Sequence, residues 1–194
     1  MLAIDDYADR FLDDSSKEIF NNWIEFLYKK IDFNLPNSPF HNKPHCSRVM
    51  LLALLLAQKH SLSYESRNTL AIASVFHDSF RCDDGIDKGH GLRGAIKYRK
   101  YCKENDESID FCAFYLMALH DCNDSCGLNK IKKYDLINRV GNIGLLYEIF
   151  KDADGLDRIR LGGEHFDKNF LRLYLSHSVI DLARDMIQRI KSYR

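Results

Sequence analysis

The chain has 194 residues, a length that predicts one domain. Its 45% hydrophobic, 29% charged and 12% aromatic residues exclude a disordered chain, and 10 Gly with 3 Pro exclude collagen-like or low-complexity sequence. Lys+Arg and Asp+Glu are 28 each, so no overall basic field draws the protein to extended nucleic acid or an anionic membrane.

Helical periodicity runs through the chain. Ser15 or Ser16 is positioned to cap a helix reaching about Ile31, with Ile19, Phe20, Trp23, Ile24, Leu27 and Ile31 on one face. Pro36, Pro39 and Pro44 make residues 33–44 a loop. Helices are expected from about His45 to His60, and from Ser63 to about Phe80. Residues 81–89 read as a loop, followed by helices from about His90 to Cys102 and from Glu107 to His120. The polar stretch 121–130 reads as a loop, and Gly141 and Gly144 break the segment after it. A helix from about Leu145 to Ile159 is ended by Gly162 and Gly163. The last helix spans about Ser176 to Lys191, with Val179, Ile180, Leu182, Ala183, Ile187 and Ile190 apolar. No strand alternation, repeat or linker appears, so the reading is one all-α domain over residues 1–194.

The longest apolar run, Val49 to Ala57, is nine residues, against about 20 for a membrane span. The N-terminal Met-Leu-Ala-Ile-Asp-Asp is acidic where a signal peptide is basic, so a cytoplasmic location and six reduced cysteines are expected. Cys122 and Cys126 are four apart, a weak zinc signal on its own.

The chemistry lies in the histidines and late carboxylates. His77-Asp78 follows the apolar run Ala71-Ile72-Ala73-Ser74-Val75-Phe76, which puts an imidazole and a carboxylate at the end of a buried helix. Burying such groups unpartnered is costly, and a divalent cation satisfies both. His45 and His90 open helices and His120 closes one. Lys151-Asp152-Ala153-Asp154-Gly155-Leu156-Asp157-Arg158 places three carboxylates in a helix. In order, His45, His77-Asp78, His120 and Asp154 are separated by 32, 43 and 34 residues. This nitrogen and oxygen donor set, with no thiolate, suits manganese, iron, nickel, cobalt, zinc or magnesium. His41, His60, His165 and His177 read as ordinary histidines.

This ordered pattern resembles the HD-domain superfamily of metal-dependent phosphohydrolases, over roughly residues 41–160. The resemblance implies a single compact helical bundle of that type, with the terminal helices packed on it. It implies a metal held by His45, His77, Asp78 and Asp154, with Asp152 as the alternative late ligand and Asp157 supporting through salt bridges. A second ion is implied at His90 and His120, which otherwise contact the phosphate or donate a proton. The implied reaction is hydrolysis of a phosphate mono- or diester of a nucleotide or related small molecule, with Asp78, His120 and His90 as catalytic groups. Arg81, Arg48, Lys88 and Arg93 are the candidate phosphate-binding cations. Ser79-Phe80 after the doublet departs from the His-Asp-Ile-Gly signalling subgroup, and no Gly-Tyr-Pro follows. The alternative is a regulatory module that binds metal or nucleotide without turnover. Phe20, Trp23 and Phe26, outside the matched motifs, either complete the core or build a homodimer surface.

Overall fold

The computed structural model describes residues 4–138 and 142–192. Among them the chain is all α, as its periodicity predicts. In order the helices are α1 (Asp5–Phe11), α2 (Asp14–Lys30), α3 (Lys43–Lys59), α4 (Tyr64–Phe76), α5 (His90–Glu104), α6 (Phe111–Leu119), α7 (Asp124–Asn138), α8 (Ile143–Asp157), α9 (Tyr174–His177) and α10 (Ile180–Ser192). Short 3-10 turns at Arg158–Leu161, Gly163–His165 and Lys168–Phe170 join α8 to α9. No helix among the described residues is long and apolar enough to cross a membrane.

The centre is α3. Every residue from His45 to Ala57 is buried, and a helix apolar nearly all round is stable only when surrounded. It packs against α2, α4 and α8. The chain reverses direction from helix to helix. The start of α3, the ends of α4 and α6, the start of α5 and the end of α8 therefore meet at one pole of the bundle. Three carbonyl-rich C-termini at that pole favour a cation there.

Two glycines let α5 reach this pole. A Cβ on Gly94 would lie 2.7 Å from the carbonyl oxygen of His77, and one on Gly91 only 2.3 Å from that of Met117. Both obstacles are backbone, so the start of α5 wedges between the ends of α4 and α6 only because His90-Gly-Leu-Arg-Gly carries no side chain at these points.

Several elements differ from the sequence reading. Asp13, not Ser15 or Ser16, caps α2: its carboxylate accepts from Ser16 N at 2.8 Å. The short α1 before it was not foreseen. Asp110 caps α6, so that helix begins at Phe111 rather than Glu107. Ser63 caps α4 as expected, but α4 ends at Phe76 and His77–Phe80 form turns.

The loop expected over 121–130 is mostly helix. Asn123 Oδ1 accepts from Cys126 N at 2.9 Å, and Ile131 is fully buried. The polar residues there are capping residues at a helix start, a role their composition shares with loops. The last helix is divided into α9 and α10 around Ser178 and Val179. The expected break at Gly141 and the side chain of Ile190 lie outside the described residues. Phe20 is buried, and Trp23 and Phe26 pack edge to face beside it on the same core.

Candidate metal centre

Five elements deliver the polar cluster at the pole. Asn42 caps α3 by accepting from His45 N at 3.1 Å, and this sets His45 in the first turn. His45 is 1% exposed, and its Nδ1–H donates to Asp157 Oδ2 at 2.7 Å. His77 caps the end of α4 with no exposure and donates Nδ1–H to the carbonyl of Ser74 at 2.9 Å. His90 donates Nδ1–H to the carbonyl of Asp87 at 2.6 Å, and His120 donates to that of Met117 at 2.7 Å. A carbonyl oxygen only accepts, so the proton of each of these rings sits on Nδ1. In the neutral ring each Nε2 then presents a lone pair.

These lone pairs face one another. His45 Nε2 and His77 Nε2 are 3.2 Å apart, and His90 Nε2 and His120 Nε2 are 2.9 Å apart. Asp78 stands between the two pairs. Its Oδ2 is 3.3 Å from His45 Nε2 and 3.7 Å from His77 Nε2. Its Oδ1 is 3.3 Å from His90 Nε2 and 3.9 Å from His120 Nε2. Asp154 Oδ1 adds a further oxygen 3.4 Å from His45 Nε2. Opposed lone pairs repel unless a cation lies between them. The donor set thus fits divalent ions on either side of Asp78, with the second-partner hydrogen bonds that orient metal-binding imidazoles already made. His45-His77-Asp154, His77-Asp78-His120 and His41-His45-Asp78 each bring donor atoms within 4.8 Å of one another. Cysteine takes no part in these groups, and the six thiols are unpaired.

The electrostatics agree. Burial, reinforced by neighbouring imidazoles, pushes the pKa of His77, His90 and His120 down and keeps them as neutral ligands. Burial opposes ionisation of Asp78, yet the surrounding imidazoles of His77, His41 and His45 hold it well below the usual carboxylate range. At Asp154 the imidazoles of His45, His77 and His120 likewise outweigh burial. His45 moves up: burial and Arg160 lower it, but its bonds to Asp157 and Asp78 prevail.

The cluster floors a cavity of about 810 Å³. Of the expected phosphate-binding residues, Arg81 and Lys88 line it. Arg81 is held by the carbonyls of Asp83 and Gly85, and its Nη1 lies 3.1 Å from His90 Nε2 and 3.6 Å from Asp78 Oδ1. Arg48 is a correction. Buried behind the cluster, it donates to Asp157 from Nε at 2.6 Å and from Nη2 at 3.0 Å, and it does not reach the cavity. Asp157 fully buries its charge there, and burial is outweighed by Arg48. Arg93 also lies off the cavity, donating to Asp87 and to the carbonyl of Phe80. Asp152 points away from the cluster. Its carboxylate accepts from Arg172 N, Leu173 N, Ser176 Oγ and Arg172 Nη1 at 2.7–3.0 Å.

Sequence reasoning passed over His41. Its Nδ1 is 2.7 Å from Asp78 Oδ2 and its ring lines the cavity. The usable signal was its spacing, four residues before His45, with Pro44 at the helix start between them. It also passed over Lys151, Arg158, Arg160 and Arg172 as cavity-lining cations. Lys151 and Arg158 stand three residues before and four after Asp154, so helical spacing puts all three on one face.

Comparison with protein-family models, curated proteins and solved structures finds no match.

Proposed function

We propose that this chain is a metal-dependent phosphohydrolase of the HD-domain type, acting on a phosphate mono- or diester of a nucleotide or related small molecule. One observation carries the reading: two imidazole pairs with opposed Nε2 lone pairs flank a single carboxylate at the base of a cavity bearing cations. His45, His77, Asp154 and Asp78 Oδ2 would hold one ion, and His90, His120 and Asp78 Oδ1 a second. Manganese, iron, nickel, cobalt, zinc and magnesium are all compatible with these donors. A divalent ion supplies Lewis acidity, which makes water acidic enough to give a nucleophile near neutral pH and offsets charge on a phosphoryl group.

The chain's own groups do the rest. Arg81, fixed by two carbonyls, offers a guanidinium to phosphoryl oxygens beside Asp78, and Lys88 and Arg158 extend the cationic wall. His41, when protonated, keeps Nδ1–H on Asp78 and leaves Nε2–H for the departing oxygen. His90 and His120, whose Nε2 atoms are turned to the cluster, are poorly suited to that role.

The test is elemental analysis of the purified protein, followed by turnover of p-nitrophenyl phosphate, bis(p-nitrophenyl) phosphate and nucleotides with each metal supplied. Stoichiometric first-row metal and hydrolysis support the reading; metal-free protein with no turnover on the whole panel refutes it. His41→Ala is expected to keep the metal and lose roughly 10²–10⁴-fold in turnover.

A further inference from the structure

Helix α8 carries two glycines, Gly144 near its start and Gly155 in its last turn. Neither has a left-handed backbone, and a Cβ at either would meet nothing within 4 Å beyond its chain neighbours and its own helix. Neither conformation nor packing therefore calls for glycine, which is a poorer helix residue than alanine. The two differ in what they face. Gly155 lines the cavity and Gly144 does not. Gly155 follows the half-buried Asp154 and shares its cavity face with Lys151 and Arg158. Arg158 is fixed by its Nε–H on the carbonyl of His165. The turns after α8 bring Phe166, Phe170 and Leu171 to the same cavity, and Phe170 is 74% exposed there.

Building on the hydrolase reading, we infer that Gly155 is a specificity-determining position. The bare backbone at Gly155, next to Asp154 and Arg158 on the cavity face of α8, leaves room for the leaving group of the ester, with the apolar edge of Phe166, Phe170 and Leu171 available to cover it. The phosphoryl group sits with the histidines and Arg81. The substrate class is then an ester whose leaving group is bulky and partly apolar, such as a nucleoside.

Gly155→Ala and Gly144→Ala test this with four readouts: melting temperature, manganese dissociation constant, KM for adenosine 5′-monophosphate and p-nitrophenyl phosphate, and Ki of inorganic phosphate. Both variants should melt about 2–4 °C higher, because the added methyl meets open space and the helix gains propensity. Both should bind manganese as the parent does. Only Gly155→Ala should raise KM for the esters, by about tenfold, with the Ki of phosphate unchanged. An unchanged KM overturns the inference while leaving the hydrolase reading intact. A Ki that rises with KM assigns the space to the phosphoryl group and overturns it too, and a lower melting temperature for Gly155→Ala removes its premise. A parent protein that is metal-free as purified and turns over nothing on the full metal and ester panel sinks the hydrolase reading, and this inference with it; a parent that cleaves only diesters overturns this inference alone.

Discussion

Asp152 and Asp154 are two residues apart on one helix, and their surroundings are opposites. Asp152 has no exposure and receives two backbone N–H groups, a hydroxyl and a guanidinium, all from the segment after α8. Its charge is answered within the chain, and the result is an anchor for the turns that form one cavity wall. Asp154 meets an imidazole nitrogen that, like its neighbours, offers a lone pair. The first carboxylate stabilises the fold; the second belongs to a group that the chain leaves electrostatically incomplete. Burial alone does not separate the two roles. The supply of donors does.

The widest separation is expected between Asp78→Ala and Asp152→Ala. Without Asp78 both imidazole pairs lose the carboxylate between them. The variant should retain no stoichiometric metal and fall to background hydrolysis, while its metal-free unfolding changes little in comparison. Asp152→Ala should do the reverse. It leaves two N–H groups and a hydroxyl without their acceptor, at about 1–3 kcal/mol in denaturant unfolding for each that stays buried, while the half-buried Arg172 guanidinium keeps Asp124, with metal content kept in the folded fraction. If Asp152→Ala lost metal while remaining folded, the division drawn here would fail.

Asp157 belongs to both worlds and so sharpens the contrast. It answers Arg48 inside the core and also fixes the ring of His45 through Nδ1. Asp157→Asn should weaken manganese binding by about 10–100-fold, the usual cost of disturbing a residue that orients a metal-binding imidazole. It should also lower stability by leaving Arg48 without its counter-charge. Isothermal titration and chemical unfolding measure the two effects separately.

The same distinction explains what could be read from the residues alone. The all-α architecture was legible because apolar spacing is local, and α3 to α6 and α8 were visible in it. His45, His77, His90 and His120 stood out because each sits at a helix end next to buried positions, and Asp154 because it closes the ordered pattern of imidazoles and carboxylates. Pairing was not legible. Nothing local says that Arg48 turns to Asp157 rather than to a phosphate, or that Asp152 meets Arg172 twenty residues later. His41 looked ordinary for the same reason: its importance lies in Asp78, brought against it by packing of α3 on α4. The start of α7 was missed because Asn, Asp and Ser suit both a loop and a helix cap.

The smallest expected effect concerns a carboxylate that is answered but wet. Asp13 accepts from Ser16 N and from Arg67, as Asp152 accepts from its donors, yet its side chain is 40% exposed. Water competes there, so the ion pair adds little and the cap accounts for most of the effect. Asp13→Ala should cost about 1 kcal/mol at neutral pH, well below the loss at Asp152. Acid should erase that difference. Partial burial opposes ionisation of Asp13, but the Ser16 amide and Arg67 outweigh it and hold the carboxyl below its ordinary value. Its stabilisation is therefore complete above the unfolded pKa of about 3.9 and is lost as pH falls through the lower folded value. Parent and variant unfolding curves should converge as pH drops through that window. A gap that stayed constant into acid would mean that the charge contributes nothing and that the cap acts by shape alone.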